Sequence, residues 1–235
     1  MGVFDLMKKD KPQEKRSALE QAHAQEDPGF LGGAALRFVE ALLDSGIDGR
    51  GPFDGADEVA SAALDEAGST EQAVQRVISS HVKMGSAFGF VTSIGGFVTL
   101  PVSLPANVAG FYLLATRMTA AVARLRGYDI DDPRIRSAIL LTLVGAESDD
   151  LLRKAGVVAP SSAMTNLAAQ RLPGPALMVV NKAVGFRLLT QAARNTLSRF
   201  GRIVPFVGGA VGAGLDGFLM RSVGRSAVGE FPPKA

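Results

Sequence analysis

The chain has 235 residues, 47% of them hydrophobic, with 25 Lys/Arg against 23 Asp/Glu and no cysteine. That length can bury a real core without staples, and the missing cysteine excludes disulfides, thiol catalysis and Cys-type zinc sites. The small net charge of +2 hides an asymmetry. Residues 31–84 hold four Lys/Arg and nine Asp/Glu, whereas residues 85–235 hold sixteen against eight. A polar partner on one side, or attraction between the two halves, would each account for it.

Residues 1–30 are charged, carry Pro12 and Pro28, and have almost no large apolar side chain after Met7. They are expected to be a flexible lead-in with a short helix near 14–25. The start, Met1-Gly2-Val3-Phe4-Asp5-Leu6-Met7-Lys8-Lys9, puts its charges after the apolar residues, the reverse of a signal peptide. Leu6 stands where a myristoylation motif needs Ser or Thr. The expectation is a cytoplasmic chain without a cleaved leader.

Ala35, Leu36, Phe38, Val39, Leu42 and Leu43 recur at helical spacing, predicting a helix over 33–46 that stops at Gly46, Gly49 and Gly51-Pro52. A second, acidic helix is expected over 55–67. Ser69-Thr70-Glu71-Gln72 reads as a capping box that opens a third, carrying Val74, Val77, Ile78 and Val82.

From Met84 to Thr116 no residue is charged. The run contains Gly85, Gly89, Gly95 and Gly96 and then Pro101 and Pro105. Its first part is marginal in length and too glycine-rich for a secure membrane span. The prolines are expected to turn the chain, with a new helix starting near Pro105 and running to Leu125, where Gly127 ends it. The run therefore reads as a helical hairpin that is buried or dips into a bilayer.

Asp132-Pro133 should cap and open the next helix, with Ile135, Ile139, Leu140 and Leu143 inside. A loop is expected around 156–162. After Pro173 and Pro175, Val179, Ala183, Phe186, Leu189, Ala193 and Leu197 form one apolar helical face, with Arg187 and Arg194 on a flank away from it. A second low-charge segment, 203–220, has Asp216 as its sole charge. No stretch alternates with strand period, and no repeat is visible. The fold class is all-α: a compact bundle of seven to nine helices with a Gly-rich, low-charge hairpin. Its expected extent is one domain over 31–231, followed by a tail at 232–235.

Three stretches resemble the EcsC family: Gly89-Phe90-Val91-Thr92-Ser93-Ile94-Gly95-Gly96 with Leu100-Pro101-Val102-Ser103-Leu104-Pro105; Gly127-Tyr128-Asp129; and 203–214, Ile203-Val204-Pro205-Phe206-Val207-Gly208-Gly209-Ala210-Val211-Gly212-Ala213-Gly214. The likeness spans roughly residues 55–231, and Asp216 stands near the place of an Asn in the family. The resemblance implies a cytoplasmic or membrane-associated protein, loosely linked to transport and secretion. It implies no settled biochemical activity.

Several motifs have competing readings. Gly212-Ala213-Gly214-Leu215-Asp216-Gly217 matches G-x-G-x-x-G, but no strand precedes it and no acid follows at the required distance. Gly208, Gly212, Gly209 and Ala213 repeat every four residues and fit close helix packing instead. No phosphate-loop Lys follows any glycine cluster. His23 and His81 are the only histidines, and His81 is expected at a surface or interface. Glu147, Asp149 and Asp150 suit solvated local pairs with Arg153 and Lys154 better than acid–base or metal chemistry. No catalytic residue, cofactor or metal site is assigned.

Lys182, Arg187, Arg194, Arg199 and Arg202 are the main candidate site. Residues 160–235 hold nine Lys/Arg and two Asp/Glu. Cations beside an apolar helical face suit an anionic bilayer surface, and equally a plain solvated face. Nucleic acid is disfavoured because Trp is absent, Tyr occurs twice and no recognition motif is present. The leading expectation is a non-enzymatic protein at the inner face of the cell membrane. A soluble interaction or assembly protein with a protein partner, and an enzyme with an unrecognised site, remain as alternatives.

Overall fold

The computed structural model describes residues 30–49, 54–94, 96–144, 174–199 and 205–234. Seven helices are described: α1 (Phe30–Gly46), α2 (Ala56–Asp65), α3 (Thr70–Ile94), α4 (Gly96–Leu125), α5 (Pro133–Val144), α6 (Gly174–Arg199) and α7 (Pro205–Glu230). No strand occurs among the described residues. The architecture is an all-α bundle.

Helix boundaries follow local chemistry. At the start of α3 the Ser69 hydroxyl accepts from Gln72 N–H at 3.4 Å, and the Gln72 amide oxygen accepts from Gly68 N–H at 3.1 Å. The first bond satisfies a donor that the helix start leaves open, and the second ties the residue before the cap to the first turn. The Asp132 carboxylate does the same for Arg134 N–H at 2.8 Å, opening α5 at Pro133. α4 ends at Gly127, whose φ of 85° is one that residues with a Cβ rarely adopt. Gly127 N–H donates to Arg124 C=O and Tyr128 N–H to Ala123 C=O, both at 3.0 Å, which caps the last carbonyls.

The expected turn at the prolines does not occur. α3 ends at Ile94, and α4 begins at Gly96 and continues through Pro101 and Pro105 as one 30-residue helix. Each proline removes one backbone hydrogen bond and bends a helix without having to end it. Two adjacent glycines are the weaker point, costing about 1 kcal/mol each relative to Ala.

α4 is the centre of the bundle. Among the described residues it packs against all six other helices. It can do so because Ala115, Ala120, Ala121 and Ala123 present almost no bulk and are fully buried around Met118 and Val122. α5 is buried all round from Ser137 to Val144, as expected of a helix apolar on every face. α6 buries Leu177, Val180, Ala183, Val184 and Leu188. That stripe is rotated from the predicted one, sharing Ala183; Val179 is half-buried, and the side chains of Phe186, Leu189, Ala193 and Leu197 lie outside the described set.

α3 and α4 are antiparallel, since His81 meets Arg117 and Phe88 lies against Gly110. α7 runs antiparallel to α3: a methyl on Gly224 would meet Ile78, one on Gly85 would meet Met220, and one on Gly217 would meet Ser86 and Val82. The end of α7 then closes onto the end of α4. Phe231 is fully buried against Tyr128, ring centroids 5.3 Å apart, and Lys234 N–H donates to Arg126 C=O at 3.0 Å.

Candidate functional site

The antiparallel course of α3, α4 and α7 gives the molecule two unlike ends. One end gathers the start of α3, the end of α4, the start of α5 and the end of α7. Here Arg126, whose side chain is 5% exposed, pairs with Glu71 at 3.0 Å and ties α3 to α4. Asp48, Asp57, Glu58, Asp129 and Asp131 line an open cleft of about 330 Å³ together with Arg124, Ile47, Gly55 and Ile130. Arg136 bridges this end, holding Asp48 through both guanidinium nitrogens and Asp131 at 3.1 Å. The hydrogen bonds that Arg136 donates to Asp48 hold its guanidinium above its usual range, against the opposing effect of burial. Arg124 donates to Asp57 through its Nε–H. Among the described residues no group of His, Asp and Glu has the geometry to hold a metal ion.

The other end is the α3–α4 hairpin tip with the start of α7. The charge-free run that ends α3 and begins α4 and the low-charge part of α7, 205–220, converge here because α7 is antiparallel to α3. Thirty-three uncharged residues of the hairpin and the first half of α7 thus share one end of the bundle. Asp216, the one charge in that part of α7, is buried at 4% exposure. No described helix is long and apolar enough to cross a membrane.

Between the two ends lies a buried polar layer. His81 is 1% exposed and Arg117 is 6% exposed, which corrects the expectation that His81 lies at a surface or interface. An arginine is always a donor, so its Nε–H bond to His81 Nε2 at 3.2 Å makes that nitrogen the acceptor. The proton therefore sits on Nδ1, which donates to Val77 C=O at 2.8 Å. Burial, opposed by the Val77 bond and reinforced by the Arg117 charge, pushes the His81 pKa down to about 4. The imidazole is neutral near pH 7. Arg117 also reaches Asp54 C=O at 3.5 Å and Met84 Sδ at 3.7 Å. Burial lowers its pKa and the Asp54 charge opposes that.

The sequence candidates fall unevenly on this frame. Lys182 and Arg187 on α6 are half-buried. Arg187 lies close enough to Tyr112 for its charge to oppose the burial that pushes that phenol up to about 12. Arg194 and Arg199 belong to α6, but their side chains lie outside the described set, and Arg202 lies outside the described residues altogether. Gly208, Gly209 and Gly212 are in α7 with undescribed surroundings, and Ala213 is half-buried. The close approaches described on α7 are instead at Gly217 and Gly224. Glu147, Asp149 and Asp150 lie outside the described residues.

The sequence reading missed His81–Arg117 as a pair, and it missed Lys83, Arg221 and Arg225 as exposed cations flanking the charge-free end. Helical spacing does place Phe218, Arg221 and Arg225 on one side of a helix, so that part of the signal was available.

The EcsC protein family matches residues 51–231. The chain belongs to the EcsC family. No curated protein and no solved structure matches it. The match covers α2 to α7, so the buried His81–Arg117 layer, the charge-free end and the acidic end apart from Ile47 and Asp48 belong to the family region.

Proposed function

We propose that this EcsC protein is a non-enzymatic, peripheral protein of anionic membrane surfaces, loosely linked to transport or secretion, with its charge-free end directed at the bilayer. The observation that supports this reading is the convergence of the two low-charge segments, whose one charge, Asp216, is buried, at the end of the bundle opposite the acidic cleft. An acidic end is repelled by anionic head groups and an uncharged helical end is not. The basic series on and after α6, above all Arg194, Arg199 and Arg202, supplies further cations of the right sign for head groups.

Flotation of the purified chain with neutral and anionic vesicles at low and high salt tests this. Binding to anionic vesicles above that to neutral ones supports the reading, and salt divides its electrostatic part from its apolar part. Absence of flotation under every condition would overturn it in favour of a soluble interaction protein.

A further inference from the structure

One edge of the α3–α7 pair carries two adjoining stripes. On α3, Lys83, Ser86 and Phe90 stand at intervals of three and four residues, and so on one side of the helix. On α7, Phe218, Arg221 and Arg225 do the same. The stripes touch where Gly217 lies against Ser86. Because the helices are antiparallel, the aromatic member of each stripe lies nearer the hairpin tip and the cations lie further back. Phe90 is 45% exposed, Phe218 is 62% exposed, and Leu215 beside them is 42% exposed. Lys83, Arg221 and Arg225 are all exposed.

The height of these cations matters as much as their sign. Gly85 is level with Met220, which puts Lys83 and Arg221 at nearly the same height on neighbouring helices. Lys83 is the last charge of α3, and Arg221 is the first exposed charge of α7. From Gln72 to Ile94 α3 has no acid, and from Gly217 to Gly229 neither does α7. The edge is therefore purely cationic where it is charged, and from there to the tip the single charge on the two helices is the buried Asp216. Ile94, the last residue of α3, lies eleven residues beyond Lys83, about 16 Å along a helix. That is roughly half the hydrocarbon thickness of a bilayer.

We infer that Lys83, Arg221 and Arg225 form a cationic collar that seats on anionic lipid head groups, while Phe90, Leu215 and Phe218 and the helical turns beyond them enter the outer part of the bilayer. The occupant is an anionic bilayer rather than a protein. Three cations with no acid among them match head-group charge, and the large exposed side chains on the tip side of them, Phe90, Leu215 and Phe218, are apolar as acyl chains require. The collar sets the depth: the tip dips in and does not cross. This inference rests on the membrane reading above and adds the contact face and the orientation.

The chain contains no Trp, so a single introduced Trp reports its own surroundings. Phe90→Trp, Phe218→Trp and, as a control on α2 at the acidic side, Leu64→Trp are each mixed with phosphatidylglycerol/phosphatidylcholine vesicles containing brominated acyl chains. Emission from positions 90 and 218 is expected to shift to the blue and be quenched, and that from position 64 to stay unchanged. In parallel, Lys83→Glu/Arg221→Glu/Arg225→Glu is expected to lower vesicle affinity by at least about a hundredfold, the loss of the three cations alone at roughly a factor of five each. The swap Lys83→Arg/Arg221→Lys/Arg225→Lys is expected to keep it. Unchanged helicity and melting certify each fold, and the triple Gln variant replaces the Glu variant should that one fail to fold. If the wild-type chain binds and the collar variants bind equally well, or position 64 is quenched as strongly as 218, the collar is wrong and the membrane reading stands. If the wild-type chain binds no vesicle, both fall.

Discussion

Arg117 donates its Nε–H to Nε2 of His81 at 3.2 Å, inside the layer where α3 and α4 cross from the acidic end of the bundle to the charge-free end. The bond requires a neutral imidazole. Burial supplies that neutrality by holding the pKa at about 4.

The linkage has a definite sign. His81 is depressed in the folded chain relative to an ordinary value of 6.5, so between those two values the unfolded chain binds the extra proton. Stability is fully present above about pH 6.5 and is lost as the pH falls towards 4, by about 3 kcal/mol in all. Urea melts of the wild type and of His81→Gln between pH 4 and 7 should show a steeper fall in the wild type. Parallel curves would mean that His81 is not held neutral.

Phe231 closes the C-terminal end onto Tyr128 with no exposed surface. Phe231→Ala should lower stability by about 3–5 kcal/mol, measured by thermal or urea unfolding. A loss below about 1 kcal/mol would show that the C-terminal segment is not part of the core.

Gly185 on α6 stands against the backbone of α1. A Cβ there would lie 2.6 Å from the Ala35 carbonyl oxygen. Backbone cannot rotate aside as a side chain can, so Gly185→Ala must push the two helices apart. The expected cost is about 1–3 kcal/mol. Stabilisation, the usual outcome of Gly→Ala in an open helix, would contradict the close approach.

Glu71 neutralises the nearly buried Arg126. Glu71→Gln leaves that guanidinium without its carboxylate. Because Glu71 itself is 62% exposed, solvent screens part of the loss, and about 1–2 kcal/mol is expected in urea melts. Arg126→Met, which removes the buried charge as well, should cost less than Glu71→Gln.

The parts of the fold written in neighbouring residues were legible in the sequence. Asp132-Pro133, Ser69 to Gln72 and Gly127 act through bonds to residues a few positions away, and each boundary stands where that chemistry puts it. The charge-free run from Met84 to Thr116 was legible as a hairpin, but its turn was misplaced because two prolines outweighed Gly95-Gly96 in the reading. What could not be read depends on which helices adjoin. His81 and Arg117 are 36 positions apart, so nothing local marks them as partners. Lys83 and Arg221 become one level of one surface only through the antiparallel packing of α3 on α7. The membership of the family was legible because Gly89 to Pro105 and 203–214 carry it directly.

The most direct test of the account is amide hydrogen exchange of the full chain with and without anionic vesicles, resolved by peptide. The account predicts added protection in 84–116 and in the first half of α7, with exchange around Asp48, Asp57 and Asp131 unchanged. Protection at the acidic end instead, or none anywhere while vesicles are bound, would contradict it.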